Sequence, residues 1–330
     1  MYFCVKVPKN TAEEIRKKLI EKGVFDFDRK VKRLDGFVLL PVKVCVEEYE
    51  CVVDKNPIFS LRNIPSKKIK ELCGIEIDSW ERYGDVVLIK FPNLDEKKIK
   101  EIGKAVAEVL DVKCVLWDMG IEGEFREPKV KIIYGNITET VHTENGIKYK
   151  FDPTKIMFSS GNVGERIRMS KINMEGEVVV DMFAGIGYFS LPIAKYTGAK
   201  RVYACEKNPV AFRYLCENVI LNNLERKVIP IIGDNREVAP ENIADRVVMG
   251  YIKTEKFLEK AMRVLKKGGG IIHYHDVFHK NVCKIQPINI LKNYGKKYGF
   301  VLKEYQIRKV KSYAPNLNHM VVDAVFIPQK

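Results

Sequence analysis

The stretch "VVVDMFAGIGYFS", residues 178–190, decides the fold. Its three valines make a strand that is apolar on both faces, as a buried parallel strand is. Asp181 closes the strand, and Gly185 and Gly187 open the helix that follows. Glycine is needed where the backbone turns sharply and a ligand approaches so closely that a Cβ would collide. The order is D-x-F-A-G-x-G, so Ala184 leads the turn and the third glycine of a dinucleotide fingerprint is missing.

Strand and helix alternate downstream, the signature of a parallel doubly wound sheet. "RVYACE" (201–206) precedes a helix over "PVAFRYLCENVILN" (209–222). "VIPIIGD" (228–234) leads to "DRVVMGY" (245–251), then to the helix "TEKFLEKAMRVLKKG" (254–268) and the strand "GGIIHYH" (269–275). The runs "FVLKEYQIRKV" (300–310) and "HMVVDAVFI" (319–327) read as a closing antiparallel hairpin. The expected fold class is α/β, with a Rossmann-like domain over 171–330.

Smaller α/β units precede it. "YFCVKV", "NTAEEIRKKLIEKG" and "GFVLLPV" predict a strand–helix–strand domain over 1–45, its helix capped by Asn10 or Thr11 and stopped at Gly23. Residues 46–70, with weak periodicity and two prolines, read as a linker. A second unit over 71–170, which would position RNA or substrate, contains the amphipathic helix "LDEKKIKEIGKAVAEVL" with its stripe at Ile99, Ile102, Val106 and Val109.

Three strand ends suggest what binds. Glu206 lies 25 residues after Asp181 and can accept from both hydroxyls of a ribose. Asp234 and Asn235 suit the amino group and ring nitrogen of an adenine edge. With the loop at Gly185 open to an amino-acid tail, these positions describe S-adenosylmethionine as co-substrate. NAD fits less well, because its pyrophosphate asks for the full glycine fingerprint.

The 330 residues carry 57 Lys plus Arg against 43 acidic residues, a formal charge of +14. Such a surplus favours a polyanionic partner, since each neutralised phosphate releases counterions. Lys/Glu enrichment for a hot environment would not by itself leave this excess. No apolar run is long enough to cross a bilayer, and "MYFCVKVPKN" lacks a signal-peptide layout, so a cytoplasmic monomer with no membrane partner is expected. The eight cysteines form no CxxC pair and no framework; reduced, mostly buried thiols are expected.

"DMFAGIGYFSLPIAKY" (181–196), "EKNP…NVILN" (206–222) and "FSSGNVGERIRM" (158–169) together resemble the class I enzymes that modify the guanosine just 3′ of the tRNA anticodon. The resemblance is strong over about 120–330 and loose over the first 45 residues. Two sister groups share this body: the tRNA guanine N1-methyltransferases, and the wyosine-pathway aminocarboxypropyl transferases that act later on the same nucleotide. The resemblance implies that Ser159 and Arg166 also reach the cofactor and that Arg126 contacts RNA or base. The residues agree in part, because Ser and Asn at a helix entry with an arginine one turn in can take up an anion.

The tip of strand "RVVM" separates the groups. The methyltransferases resemble one another in carrying Asn-Leu-Pro there, whereas Met249-Gly250-Tyr251-Ile252 looks like the Met-Gly-Tyr-Val tip of the transferases. Losing one polar anchor lets the methionine tail rotate about its sulfur, presenting the γ-carbon instead of the methyl. Positioning is worth about 7–11 kcal/mol in well-oriented reactions, enough to choose the product without a new acid or base. Transfer to C7 of the demethylwyosine base is therefore expected, with guanine N1-methylation as the alternative.

Glu165, Tyr251, His275 and Asp276 all remain open as acceptor of the displaced proton. "HYHDVFH" places His273, His275, Asp276 and His279 within seven residues, which invites a metal; the related families carry His and Tyr here without one, so no metal is expected. "KVKSYAPNLNH" sets Lys309, Lys311, Ser312 and Tyr313 near the mouth of the site, suited to backbone contact and base stacking.

Overall fold

A computed structural model describes residues 2–59, 63–123 and 126–329. By compactness the chain divides into two units: Met1–Trp80, Leu88–Trp117 and Ile132–Gly135 form one, and Glu81–Val87, Asp118–Lys131 and Asn136–Lys330 the other.

The chain opens with β1 (Phe3–Pro8), α1 (Ala12–Glu21), β2 (Lys32–Arg33), β3 (Phe37–Val42) and β4 (Cys51–Val53), in a sheet of order β2-β3-β1-β4. All its pairings are antiparallel. Leu19 of α1 is buried with Val5, Val7, Phe25, Val38, Leu40 and Val42, so alternate residues of β1 and β3 supply one face and the helix covers it.

Two expectations for this region change. The stretch 46–70 contains β4 and the start of α2 (Asn63–Cys73); residues 60–62 of that stretch lie outside the described residues. Three residues of strand are too few to stand out by periodicity, and pairing with β1 creates them. Cys45 and Cys51 are joined in a disulfide, so the cysteines are not all reduced. Their partnership depends on the chain doubling back into β4, which spacing alone does not reveal. Of the other six cysteines, five are buried and Cys216 is half-buried.

Next come β5 (Trp80–Tyr83), β6 (Val86–Ile89), α3 (Glu96–Leu110), β7 (Cys114–Glu122) and β8 (Glu127–Tyr134), with sheet order β5-β6-β7-β8. Asp95 caps α3 by accepting from the Lys98 N–H at 2.9 Å, and Ile99, Ile102 and Val106 of the expected stripe are buried. Val109 is half-buried and Leu110 takes the next inward position.

The second unit is built on seven strands. β9 (Thr140–Glu144) and β10 (Ile147–Phe151) form a hairpin, and α4 (Val163–Met169) follows. Then come β11 (Val178–Asp181), α5 (Ser190–Tyr196), β12 (Arg201–Glu206), α6 (Pro209–Leu221), β13 (Val228–Ile232), α7 (Asn235–Val238), β14 (Arg246–Met249), α8 (Leu258–Val264), β15 (Gly270–His279), α9 (Gln286–Lys297), β16 (Phe300–Ala314) and β17 (Leu317–Pro328). The sheet order is β13-β12-β11-β14-β15-β17-β16. The first five strands are parallel, and β16 and β17 close the edge as an antiparallel hairpin, as the sequence predicts. Order reverses between β11 and β14, and ligands of such sheets sit outside the carboxyl ends at that switch point. Gly187, at φ +102, makes the turn after β11; a Cβ there would lie 2.6 Å from Leu191 Cγ.

The boundary expected at residue 170 falls inside this second unit. Asn218 and Asn222, one turn apart on α6, explain why. Each side chain bonds the backbone of β10 on both sides: Lys150 N–H donates to Asn218 Oδ1 at 2.6 Å, and Asn222 Nδ2 donates to the Lys148 carbonyl at 2.7 Å. The two amides act on β10 as an edge strand would, tying the hairpin to the sheet domain. No helix among the described residues is long and apolar enough to cross a membrane.

Candidate functional site

A cavity of about 230 Å³ opens beyond the C-terminal ends of β11, β12, β13 and β14. Of the seven positions expected to hold a cofactor, Ser159, Arg166, Gly185, Glu206, Asp234 and Asn235 line it. Asp181 does not. It is fully buried, and its oxygens accept from Ser190 Oγ at 2.7 Å and the Phe183 N–H at 3.1 Å. The carboxylate at the end of β11 turns back to brace the loop instead of facing a ligand.

Burial raises the Asp181 pKa to about 6, against the bonds from Ser190 and Phe183. A raised carboxyl pKa stabilises the fold fully below the unfolded value and loses that contribution as pH climbs through the folded one. Asp181→Asn is therefore expected to be more stable than wild type by about 1–2 kcal/mol at pH 7.5, with the gap closing towards pH 4. Denaturant unfolding at both pH values measures it; an equal gap at both would refute the charge as its cause.

Glu206 points into the cavity with its carboxylate fixed from behind. Gly185 N–H donates to Oε2 and Asn208 N–H to Oε1, each at 2.7 Å, while burial pushes its pKa up. The Lys207 N–H faces the carboxylate as well, and the four lone-pair sites of a carboxylate still exceed these three backbone donors. Asp234 caps α7 through the Arg236 N–H and pairs with the Arg236 guanidinium at 2.6 Å, which holds its carboxyl far below the usual range. Asn235 Nδ2 donates to the Met182 carbonyl at 2.7 Å, leaving Oδ1 buried without a partner.

Arg166 is 2% exposed, and it meets Glu144 through two bonds of 2.6 and 2.7 Å. Its third bond goes to the Ser159 carbonyl at 2.9 Å, and its guanidinium lies over the rings of Phe158 and Tyr188. Across the cavity, Lys311 Nζ approaches Ser159 Oγ at 3.4 Å, and burial draws the Lys311 pKa down. Arg126 lines the wall with Nε lacking a partner, as does Asn162 Oδ1. Three lining residues with buried, unspent hydrogen-bonding atoms fit a ligand that brings both donors and acceptors of its own.

The β14 tip is apolar, but not as a block of four. Met249 is fully buried in the core, and Gly250, Tyr251 and Ile252 alone face the cavity. Tyr251 stacks on Phe183 with ring centroids 5.4 Å apart. A Cβ at Gly250 would fall 2.5 Å from the Phe189 ring, so glycine lets Phe189 close against the tip. Asp276 anchors the loop beyond, accepting from Lys253 N–H at 2.6 Å and Thr254 N–H at 2.9 Å.

The histidine cluster separates. His273 bonds Asp323 at 2.5 Å and Arg246 at 2.9 Å, His275 bonds His319 at 3.1 Å, and His279 is exposed. Among the described residues no three His, Cys, Asp or Glu side chains are grouped to hold a metal. Lys311 and Tyr313 line the cavity, whereas Lys309 and Ser312 do not. His319, which sequence reasoning passed over, lines it too. Its only signal was its place two residues into the last strand, directly opposite Lys311.

The family model "TRM5/TYW2 methyltransferase domain" matches residues 140–303. A Methanocaldococcus jannaschii protein named tRNA(Phe) (4-demethylwyosine(37)-C(7)) aminocarboxypropyltransferase is 51% identical over 251 residues, 75% of this chain and 97% of that protein. The chain belongs to the TRM5/TYW2 family. Two more models match, "TYW2 N-terminal domain" over 61–138 and "tRNA methyltransferase 5 N-terminal domain" over 4–50. A tRNA (guanine(37)-N(1))-methyltransferase Trm5b of Pyrococcus abyssi is 38% identical over 98% of both chains. Among solved structures of the TRM5/TYW2 family, Pyrococcus horikoshii TYW2 in complex with MeSAdo has a TM-score of 0.70 and 42% identity, covering 81% of this chain and 97% of that one.

Proposed function

We propose that this protein transfers the 3-amino-3-carboxypropyl group of S-adenosylmethionine to C7 of 4-demethylwyosine at position 37 of tRNA(Phe), releasing methylthioadenosine. The carrying observation is the β14 tip: Gly250, Tyr251 and Ile252 meet the cavity with no side-chain amide and no proline. The name of the M. jannaschii relative and its high identity support the same choice.

Glu206 would hold the ribose hydroxyls, and Asn235 and Asp234 the adenine edge. Ser159 and Arg166 would face the amino-acid tail, and Asp181 would act through the loop it braces. The bound sulfonium supplies an activated carbon; the protein supplies orientation and exclusion of water. Phe183, Phe189, Tyr251 and Phe257 give the wall an apolar surface on which a methyl group can rest while the γ-carbon faces the base. The tRNA partner is consistent with the +14 charge and with Lys311 and Tyr313 at the cavity.

Guanine N1-methylation on the same nucleotide is the second reading. The match of 4–50 to the methyltransferase N-terminal domain, and the full-length coverage of the P. abyssi relative, favour it. Mass analysis of the nucleoside released from purified protein, S-adenosylmethionine and tRNA carrying the wyosine precursor decides. Methylthioadenosine is expected. S-adenosylhomocysteine with a methylated guanosine would overturn the first reading.

A further inference from the structure

The transfer leaves a proton to be removed. As the C7–Cγ bond forms, the Cγ–S bond breaks and its electron pair neutralises the sulfonium. The positive charge then resides on the tricyclic base, whose C7 still carries hydrogen. Breaking that C–H bond returns its electrons to the ring, and the proton needs an acceptor at the cavity wall.

Of the four groups expected to serve, Tyr251 lines the cavity with its ring stacked on Phe183, and the other three are committed elsewhere or set back. Asp276 spends its oxygens on the backbone of Lys253, Thr254 and Val277. Glu165 is buried against Arg168, with bonds of 2.6 and 2.9 Å. His275 is 1% exposed and lies behind the wall. The imidazole that does reach the cavity is His319.

Its tautomer follows from its neighbours. His275 Nε2 lies 3.7 Å from Glu165 Oε1 and is otherwise buried without a hydrogen-bond partner. A carboxylate there favours the proton on Nε2, which leaves His275 Nδ1 as an acceptor. The bond at 3.1 Å between His275 Nδ1 and His319 Nε2 is then donated by His319. His319 Nδ1 then keeps its lone pair, on a side chain that lines the cavity.

We propose that His319 is the catalytic base that takes the C7 proton, with His275 and Glu165 as positioning residues that fix its tautomer. This rests on the transfer reaction proposed above. The charged groups facing His319 are Lys311 on β16 and Arg126 before β8, with His275 on β15 and, through it, Glu165 on α4. Burial, Lys311 and Arg126 hold the His319 pKa down at about 4, so the ring is neutral at physiological pH. A weak base suffices, because a ring carbon that restores aromaticity on losing its proton is a strong acid. The imidazolium formed beside Lys311 and Arg126 then sheds the proton readily to water.

The test is single-turnover transfer by the full chain, with S-adenosylmethionine and tRNA bearing 4-demethylwyosine, read as methylthioadenosine. His319→Ala should slow transfer about 100-fold or more, since positioned bases contribute about 10²–10⁴-fold, with cofactor affinity within twofold of wild type and partial rescue by added imidazole. His319→Gln keeps a donor for His275 but lacks the second ring nitrogen, so it should fold normally and stay slow. His275→Phe should lower kcat about tenfold with KM for both substrates unchanged. Transfer by His319→Gln within threefold of wild type would overturn His319 as base while leaving the transfer reaction standing. Wild-type protein that releases no methylthioadenosine would overturn both.

Discussion

Glu206→Ala should weaken S-adenosylmethionine binding by about 1.5–3 kcal/mol, roughly 10- to 150-fold, in calorimetric titration of the purified chain. The size follows from the way the carboxylate is held. Gly185 and Asn208 N–H groups fix one oxygen each at 2.7 Å, so no reorganisation is needed when two ribose hydroxyls arrive. Alanine removes both acceptors at once and also strands the backbone donors of Gly185, Lys207 and Asn208 in a buried wall. Glu206→Gln sharpens the point. One glutamine oxygen can satisfy Gly185 or Asn208, but the amide NH₂ would then confront the other N–H, so glutamine should recover little of the lost affinity. Cofactor affinity within twofold of wild type for either variant would show that the ribose is held elsewhere.

Where the sequence was legible, the physics was local or strongly patterned. The run Val178–Asp181 and the run Arg246–Met249 are buried on both faces, which only the centre of a parallel sheet allows. The hairpin of β16 and β17 announced itself by length, since strands of that size rarely close a sheet any other way. Side-chain direction was less legible. Asp181 ends its strand just as Glu206 ends its own, yet one braces Ser190 and the other faces the cavity. Whether a strand-end carboxylate points inward depends on which donors the next turn offers, and no spacing rule carries that. Met249 belonged to the tip by position but to the core by its place in the pleat. Pairings across long separations were invisible for a related reason. His275 meets His319, 44 residues away, only because β17 lies beside β15.

Arg166→Leu should lower the unfolding free energy by about 3–5 kcal/mol, the loss typical when one partner of a buried ion pair is removed. Arg166 and Glu144 have side chains 3% and 14% exposed, so the carboxylate left behind cannot recover its hydration. Two independent features suggest that the pair supports the wall as well as any ligand. The guanidinium holds the Ser159 carbonyl at 2.9 Å, and it covers the Phe158 ring at 5.0 Å. Phe158 in turn contacts Tyr83, His142, Tyr149, Phe151 and Tyr188 ring to ring, so losing its cover disturbs an aromatic cluster, not one contact. Glu144→Leu should cost a comparable amount, because it strands the arginine instead. The double variant should then regain at least about 2 kcal/mol over the sum of the singles, as coupled neighbours do. Additive losses in denaturant unfolding would deny the coupling. A stable Arg166→Leu protein that binds S-adenosylmethionine poorly would assign Arg166 to the ligand alone, and the β9–β10 hairpin would then owe its hold on the seven-stranded sheet to Asn218 and Asn222.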